Sequence, residues 1–476
     1  MTFPSAYVAL VVAVGLGGCA SYDTLHCSAD RDCTGVYAGS RCNALGICVV
    51  DQDGGVNNPD GGDGGSGGCA LSSECPLTAP ICGVDNLCHP CSSNNGDNEC
   101  TMRGGVPPHC QLTGALTGQC TGCRIGQGDC STPTAPVCGV DNVCRGCTSH
   151  DECTSLVCNT DGSCADMAAV TYVDNHCLGT THDGGFATPY CEITDAIAAN
   201  KHLIRVAGNS VTYKAISVST GSTTTIVGPP NTATPRAIIN GAAGPTPAVT
   251  LSVNGATTLV LDGIEITDST FIINGIFCSS SSAPASLTIR RSYLHDLGLL
   301  AVSGTNCAVT IDRSKIARNS GGGINLTGGS FSFTNSFFVA NGPSGAAITL
   351  GTGTTEISPG ASFVHNTVAD NLRPSGFTGG VVCATAYVLN GSILSNNTNA
   401  NAVGCTVAAD SFSTMTLTDV VYEIPNVAPF DYRLKAANLA NQACCVDKIT
   451  PALLPIDYFG TGRPQGTASD RGAHEQ

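Results

Sequence analysis

The side chains of this sequence that could do chemistry are concentrated near residue 300. Two charged runs lie there, and together they comprise Arg290, Arg291, His295, Asp296, Asp312, Arg313, Lys315 and Arg318. Their guanidinium and ammonium groups could bind an anionic ligand, and His295 beside Asp296 could transfer a proton. The same residues could instead form ion pairs on a solvated face, each worth about 0–1 kcal/mol. The catalytic residues therefore stay unknown, with these candidates: Arg291, His295, Asp296, Asp312, Arg313 and Lys315.

The elements that position these residues are short β-branched runs separated by Gly, Asn and Ser. From residue 263 onward a common phase recurs at 292, 314, 336, 366 and 391, which are 22 to 30 residues apart. One strand-bearing turn at this period is the sequence signature of a parallel β-helix, in which each coil lays its strand on the previous one. We therefore predict an all-β fold, with nine to eleven coils over residues 168–430 and a C-terminal tail over 431–476.

Asparagines recur at one position of the predicted coils. Four of them lie five residues after their phase points: Asn319, Asn341, Asn371 and Asn396. Stacked coils would place them about 4.8 Å apart, so that their amides could hydrogen-bond along the column. The pattern favours a structural asparagine ladder, and a ligand-binding role is the alternative.

Cysteines of the predicted β-helix can be paired by the same phase. Cys278 and Cys307 each lie fifteen residues after their own phase points, which predicts vertical neighbours whose Cα atoms are close enough for a disulfide. Two further candidate pairs are close in sequence: Cys177 with Cys191, and Cys383 with Cys405. Because Cys444 and Cys445 are adjacent, we expect at least one of them to pair elsewhere.

Residues 27–164 contain twenty cysteines in five units of four, spanning 27–48, 69–88, 91–120, 123–144 and 147–164. The repeat includes other residues, since APICGVDNLC at 79–88 returns as APVCGVDNVC at 135–144. Such short repeats are typical of small disulfide-stapled modules, and each unit allows three pairings. CxxC spacings between units would suit zinc in a reducing compartment, but disulfides are favoured here. We predict a first module within 19–50, a Gly/Asp-rich linker over 51–68 and four tandem modules over 69–167.

The amino-terminal segment has the pattern of an export signal. Eleven apolar residues, 6–16, are fewer than the roughly 20 that a spanning helix needs, and they lead into Leu16-Gly-Gly-Cys19. This motif resembles the lipobox of bacterial lipoproteins, which implies a signal peptide over 1–18 and lipid attachment at Cys19. The lack of Lys or Arg before the apolar run departs from that pattern, and an ordinary cleaved signal is the alternative. The resemblance implies a lipid-anchored envelope protein, at the outer membrane or cell surface.

Composition agrees with export and restricts the partners. Of 29 cysteines, 28 remain when Cys19 is set apart, which permits complete pairing. A net charge of −16 provides no basic surface for phosphates, so nucleic acid is excluded as a partner. The expected partners are a membrane, through the lipid, and a polysaccharide or cell-surface ligand; the sequence does not indicate an oligomeric state.

Both halves resemble known families. The cysteine units are similar to Cys-rich repeats of bacterial surface lipoproteins. Residues 172–174 (YVD) and 189–197 (PYCEITDAI), together with 457–464 (DYFGTGRP) and 470–475 (DRGAHE), resemble the opening strand, short helix and closing signature of right-handed parallel β-helix, or pectin-lyase-like, surface proteins. The resemblance covers about residues 168–476 and implies that fold, with the short helix covering the first coil.

This resemblance leaves three functions open. Polysaccharide lyases of this fold need calcium-binding carboxylates or an Arg/Lys base, and glycoside hydrolases need two carboxylates at controlled separation. No paired Asp motif or acidic calcium cluster is evident, and there is no tryptophan for sugar stacking. The sequence thus favours a non-enzymatic surface protein for adhesion or polymer recognition, without metal or cofactor. The alternatives are a lyase-like enzyme on acidic glycan and a structural envelope protein.

Overall fold

The computed structural model describes residues 40–42, 48–50, 68–76, 78–92, 97–102, 108–208, 211–218, 221, 223–229, 236–240, 248–253, 257–267, 274–281, 285–425, 427–428 and 430–476. Cys19, its leader and nearly all of the predicted linker lie outside these residues. The chain divides into two compact units, Met1–Ala70 with Cys82–Cys88 and Leu71–Ile81 with His89–Gln476. No helix in the described ranges is both long and apolar enough to cross a membrane.

The first unit is held by short-range pairing. Strands Ser40–Cys42 and Cys48–Val50 pair antiparallel, with Cys42 opposite Cys48. A disulfide joins Cys69 to Cys82, the first and third cysteines of the second module. Such bridges stabilise modules that are too small to bury a sizeable apolar core.

Three complete modules of the second unit share one disulfide pattern, in which the first cysteine bonds the third and the second bonds the fourth. The bridges are Cys91–Cys110, Cys100–Cys120, Cys123–Cys138, Cys130–Cys144, Cys147–Cys158 and Cys153–Cys164. The short elements of these three modules and the segment that follows them are the helix Asp97–Met102, the 3-10 helices His150–Glu152 and Met167–Ala169, and the strands His109–Cys110, Cys120–Thr121, Val137–Cys138 and Cys144–Arg145. The module over residues 69–88 contains the 3-10 helix Ser72–Glu74 and the strands Ile81–Cys82 and Cys88–His89. One of the three pairings open from the sequence is therefore selected throughout.

After the modules, the second unit continues as a parallel β-helix of three sheets, which a coil visits in the order first, second, third. The first sheet comprises Thr171–Val173, Leu203–Val206, Thr223–Val227, Thr258–Asp262, Ala285–Arg290, Cys307–Asp312, Ser330–Thr334, Thr355–Glu356 and Phe363–Val364. The second comprises Ala237–Ile239, Ile264–Thr267, Tyr293–His295, Lys315–Ala317, Phe337–Val339, Thr367–Ala369, Ile393–Ser395 and Phe412–Thr414. The third comprises Ile216–Val218, Val249–Val253, Ile276–Ser280, Val302–Thr305, Ile324–Thr327, Ile348–Leu350, Val381–Cys383 and Ala402–Val403. A small parallel pair, Val388–Leu389 and Thr406–Val407, continues near the C-terminal end.

Alternation along each strand builds the core. In Ala285–Arg290 the residues Ala285, Leu287 and Ile289 are buried, whereas Ser286 and Thr288 are half-buried on the outer face. Strand residues point alternately to opposite faces, so the apolar residues of each strand face the interior and align in columns through successive coils. The described strands make about seven complete turns, fewer than the predicted nine to eleven, because the strands at both ends belong to incomplete coils.

The helix Ile193–Ala198 closes the amino-terminal end of this core. Ile193 and Ala196 are fully buried in the main apolar cluster, and Ile197 packs against it. The helix thus covers apolar groups that would otherwise be exposed at the end of the stack.

The asparagine ladder runs through the turns that follow the second sheet. The backbone N–H groups of Asn319, Asn341 and Asn371 donate to the side-chain oxygen of the next asparagine, over 3.2, 2.8 and 3.2 Å. The acceptor for Asn371 is Asn397, whose own N–H donates to the side-chain oxygen of Asn401 over 3.2 Å, so the prediction of Asn396 was wrong. The positive φ of Gly391 (54°) matches that of Arg291 (48°), not Ser292, which shifts the phase by one residue. These ladder amides are fully buried, so they serve the fold and are closed to a ligand.

Asn341→Ala is expected to lower the free energy of unfolding by about 2–3 kcal/mol, because buried backbone groups would lose their partners. Asn341 accepts from the N–H of Asn319 and donates to the carbonyl of Ile316 over 3.0 Å. Asn325→Ala, at an exposed outer position of the third sheet, is the control and should change stability by less than about 0.5 kcal/mol. Denaturant titration measures the stability of both variants. Equal losses in the two would contradict a stabilising role for the ladder.

The disulfides of the β-helix join Cys177 to Cys191, Cys278 to Cys307 and Cys383 to Cys405. Cys278 and Cys307 are not vertical neighbours as predicted: in the strand registers Cys278 pairs with Gly304, and Cys307 with Ala285. Both face the interior from different sheets, and their Cα atoms are 6.1 Å apart across the core. Cys444 and Cys445 bond to each other, so the expectation that at least one of them pairs elsewhere was wrong.

Residues after Thr414 leave the stack and cover the second sheet. They form the antiparallel strands Tyr422–Ile424 and Asp431–Leu434 and the helix Leu439–Cys444. Tyr422, Tyr432 and Tyr458 pack in one apolar cluster with outward residues of the second sheet, including Phe337 and Ile393. We call residues 415–476 the C-terminal cap; it begins before the boundary predicted at 430 because the first cap strand precedes that residue.

Candidate functional site

The charged residues found in the sequence lie in two places. Arg290, Arg291, Asp312 and Arg313 lie at the corner between the first and second sheets, whereas His295 and Lys315 project from the outer face of the second sheet. Stacking does bring the two runs together, since Arg290 is in register with Asp312 and Tyr293 with Lys315. The four residues at the corner, which we call the corner group, nevertheless have different partners from His295 and Lys315, which we call the second-sheet group.

At the corner, Asp262 of the preceding coil forms ion pairs with both Arg290 and Arg291. Its carboxylate is 1% exposed and accepts from Nε and Nη2 of Arg291, both over 2.7 Å, while Arg290 Nη2 lies 3.1 Å away. Although burial opposes ionisation, the hydrogen bonds from His150 and Arg291 hold the pKa of Asp262 well below its usual range. In the next coil Arg313 pairs with Asp312 over 3.0 Å.

The fifth cysteine module contributes His150 to this corner. Its Nδ1 accepts the N–H of Cys158 over 2.9 Å, and its Nε2 lies 3.5 Å from Asp262. Burial lowers the pKa of His150 more than Asp262 raises it, with Arg291 and Arg205 adding to the lowering. His150 is 2% exposed, so it serves to join the module to the β-helix and is not open to a ligand.

On the second sheet, His295 is held between two carboxylates. Its Nδ1 lies 2.7 Å from Asp296 and its Nε2 lies 3.0 Å from Glu265. Burial disfavours the imidazolium, but the hydrogen bonds that it donates to Asp296 and Glu265 outweigh this cost and raise the pKa of His295. Arg318 binds Asp296 through two nitrogens, and despite burial these contacts with His295 and Arg318 lower the pKa of Asp296.

Lys315 is covered by the C-terminal cap. Its Nζ donates to the carbonyl of Phe430 over 2.6 Å, and the Phe430 ring lies 4.0 Å from the guanidinium carbon of Arg318. Burial, with a smaller contribution from the charge of Arg318, lowers the pKa of Lys315 to about 8. A lysine of this kind could act as a base. Here, however, one of its N–H groups already donates to the carbonyl of Phe430, and this residue limits the approach to the amine.

Each of the six candidates from the sequence thus has an ionic or hydrogen-bonding partner in the described structure. A lyase base would need a free nitrogen facing a groove, and a hydrolase would need two carboxylates facing a common substrate. Here the carboxylates of Asp262, Glu265 and Asp296 face histidine and arginine. The arrangement is better suited to holding coils and cap together than to turning over a substrate.

Clusters of cysteine with metal-ligand spacing occur in the described residues, but their sulfurs are engaged. Every cysteine in these clusters is disulfide-bonded, both in the four module clusters and in the one formed by Cys177, His182 and Cys191. Metal ligation requires thiolates. These clusters therefore do not form metal sites in the oxidised protein.

Three residues that contact the second-sheet group were not identified from the sequence: Glu265, Tyr293 and Phe430. Tyr293 stacks on His295 with ring centroids 3.9 Å apart and accepts from Arg318 over 2.8 Å. Glu265 would have been found by aligning Gly263 with Arg291, because it then falls opposite Tyr293. No sequence signal places Phe430, which is brought in by the fold of the cap.

Comparisons with known proteins give little beyond the architecture. No family model matches the chain, and no curated protein matches it. Among solved structures, the crystal structure of pectate lyase Pel9A is similar over 64% of this chain and 96% of that chain, at 12% identity and a TM-score of 0.36. The fold assigned above rests on the strand registers of this chain alone.

Proposed function

We propose that this protein recognises a neutral, hydroxyl-rich polymer, most simply a polysaccharide, on the outer face of its first sheet. The residues of this hydroxyl face are Thr258, Ser286, Thr288, Thr310, Ser330 and Ser332. They are half-buried and project outward, between buried residues that face the core. This regular array is the observation that carries the proposal.

The array has two columns. Thr288, Thr310 and Ser332 are successive register partners, and Ser286 and Ser330 are separated by Ala308 in the other column. Neighbouring coils repeat at about 4.8 Å, so the hydroxyls recur at a fixed spacing over several coils. A hydroxyl both donates and accepts hydrogen bonds, which suits the hydroxyls of a sugar chain. An extended polymer could therefore make the same contact at every coil.

Charge favours a neutral polymer over a polyanion. The chain carries a net charge of −16, and the candidate arginines are already paired with carboxylates. A uronate polymer would meet long-range repulsion, which weakens association most strongly at low salt.

The proposal includes export and anchoring through a lipid at Cys19. It is supported by the disulfide state of every cysteine from Cys69 to Cys445, since such bridges persist in oxidising compartments. Labelling with a radioactive fatty acid tests the anchor, with Cys19→Ala expected to abolish incorporation.

A lyase is the second candidate, favoured by the position of Lys315 on the outer face of the second sheet, where burial lowers its pKa to about 8. Its activity would appear as ultraviolet absorbance of unsaturated product ends from an acidic glycan, and would be lost in Lys315→Met. We expect no such product, because Lys315 is covered by Phe430.

The recognition surface is tested with two double variants of equal charge. Thr288→Glu with Thr310→Glu should weaken binding to a neutral polysaccharide at least tenfold, since carboxylates would replace two stacked hydroxyls. Ser303→Glu with Asn325→Glu, in register on the outer face of the third sheet, is the matched control and should bind normally. Pull-down on insoluble polysaccharides and titration with soluble ones measure both. Equal loss in the two variants, or binding only to polyanions, would overturn the proposal.

A further inference from the structure

A cavity of about 180 Å³ lies where the cap meets the end of the second sheet. Its walls include Asp370, Ser395, Asn396, Leu417, Val420 and Tyr422. Pockets for drug-sized ligands have volumes of about 300–1,000 Å³, so this one fits a single small ring. It lies outside both charged groups described above and outside the hydroxyl face.

One side of the cavity is polar and centred on Asp370. This residue and Asn396 occupy the same turn position in successive coils, with φ of 55° and 51°, so the stacking of the helix places their side chains together. Asp370 accepts from the amide nitrogen of Asn396 over 2.5 Å and from the hydroxyl of Tyr432 over 2.9 Å. A carboxylate offers about four acceptor positions, so about two remain for the hydroxyls of a ligand.

The opposite wall is apolar and firmly held. It includes Leu417, which is 68% exposed, and Val420, which is buried. The residue after Val420 is held by the side chain of the buried Asn441. This amide accepts from the N–H of Val421 over 2.9 Å and donates to the carbonyl of Val421 over 2.7 Å. The cavity is thus formed before any ligand arrives, which reduces the entropic cost of binding.

We propose that this cavity binds one neutral sugar residue, with two of its hydroxyls donating to Asp370 and its apolar face against Leu417. The carboxylate of Asp370 accepts hydrogen bonds from sugar hydroxyls, the amide nitrogen of Asn396 can donate to them, and the apolar wall suits the C–H face of a sugar ring. No lysine or arginine is among the residues lining the cavity, so an acidic sugar would face an uncompensated carboxylate. The site is independent of the hydroxyl face, because a free sugar can bind whether or not a polymer does.

Titration of the full oxidised chain with methyl hexopyranosides, followed by nuclear magnetic resonance, tests the proposal. We expect dissociation constants near 1 mM for at least one neutral glycoside, as suits a single small ring. Glucuronate should bind at least tenfold more weakly, because its carboxylate would approach Asp370. Glucosamine binding more than tenfold tighter than every neutral sugar would overturn the assignment in favour of a cationic ligand.

Two variants and one control locate the site. Asp370→Asn keeps the shape but removes the charged acceptor, and Thr416→Arg narrows the mouth with an exposed residue. Each should weaken neutral glycoside binding at least tenfold, whereas Thr385→Arg, an exposed threonine outside the cavity, should not. Undiminished binding in both cavity variants, or no binding of any neutral glycoside, would overturn the proposal. Loss of polymer binding in the Thr288 and Thr310 double variant with normal glycoside binding separates this site from the hydroxyl face.

Discussion

Glu475→Gln is expected to lower the free energy of unfolding by about 3–5 kcal/mol, because it leaves a buried guanidinium without its counter-charge. Arg463 and Glu475 are 0% and 1% exposed, and Arg463 Nη1 lies 2.7 Å from Glu475 Oε2. Denaturant titration of the oxidised protein measures the loss. The residues involved are those of the closing signature found in the sequence, which gives that motif a physical role.

The pair fixes the last turn of the cap against the second sheet. Arg463 also donates to the carbonyls of Asp470 and Gly472, and Glu475 accepts from the N–H groups of Gln465 and Asp470. Gly472 in turn donates to the carbonyl of Gly391 over 2.8 Å. With φ of 83°, and with Thr367 Oγ1 only 2.7 Å from where a Cβ would be, position 472 requires glycine. Loss of the ion pair should therefore loosen the cap as well as expose a charge.

Arg433→Ala is the matched control for this prediction. Arg433 pairs with Asp431 on the same cap, but its side chain is 49% exposed. An exposed pair of this kind contributes about 0–1 kcal/mol, so the control should leave stability nearly unchanged. A loss below about 1 kcal/mol in Glu475→Gln would show that water reaches the pair and would remove this role from the signature.

The sequence was informative wherever a local rule determines the structure. Short β-branched runs recurring every 22 to 30 residues predicted the coils, and the parallel strand registers confirm that these coils stack. The one-residue error at Gly391 arose because the phase follows the left-handed turn residue, which is Arg291 in one coil and glycine in another. Residue type alone does not reveal that equivalence.

The candidate site was predicted less well because its partners come from distant segments. Asp262 belongs to the preceding coil, His150 to a cysteine module and Phe430 to the cap. A run of charges in the sequence does not indicate whether such partners neutralise it. The cavity at Asp370 was missed for the same reason, since Leu417 and Tyr422 reach it only when the cap folds back.

His365→Asn is expected to remove much of the protein's loss of stability in acid. His365 is fully buried, and neither of its ring nitrogens makes a geometrically sound hydrogen bond with the described residues. Burial, aided by the charge of Arg463, lowers the pKa of His365 to about 3. Asparagine suits the position, because Asn335 occupies the same turn in the preceding coil with φ of 47°, close to the 53° of His365.

The sign of the effect follows from where the proton binds. Between pH 6.5 and 3 the unfolded chain protonates this histidine while the folded chain does not, so its contribution to stability falls by up to about 1.4 kcal/mol per pH unit as pH decreases. Asp470, whose pKa burial raises to about 6, acts in the opposite direction over the upper part of this range, so the difference between wild type and variant is the quantity to measure. Denaturation midpoints measured at pH 7, 6, 5 and 4 should fall more steeply for wild type than for His365→Asn as the pH decreases, whereas His176→Asn, at an exposed histidine, should stay parallel to wild type. Parallel curves for His365→Asn would mean that the buried imidazole takes up its proton without unfolding, and that the contact between cap and β-helix tolerates a second positive charge beside Arg463.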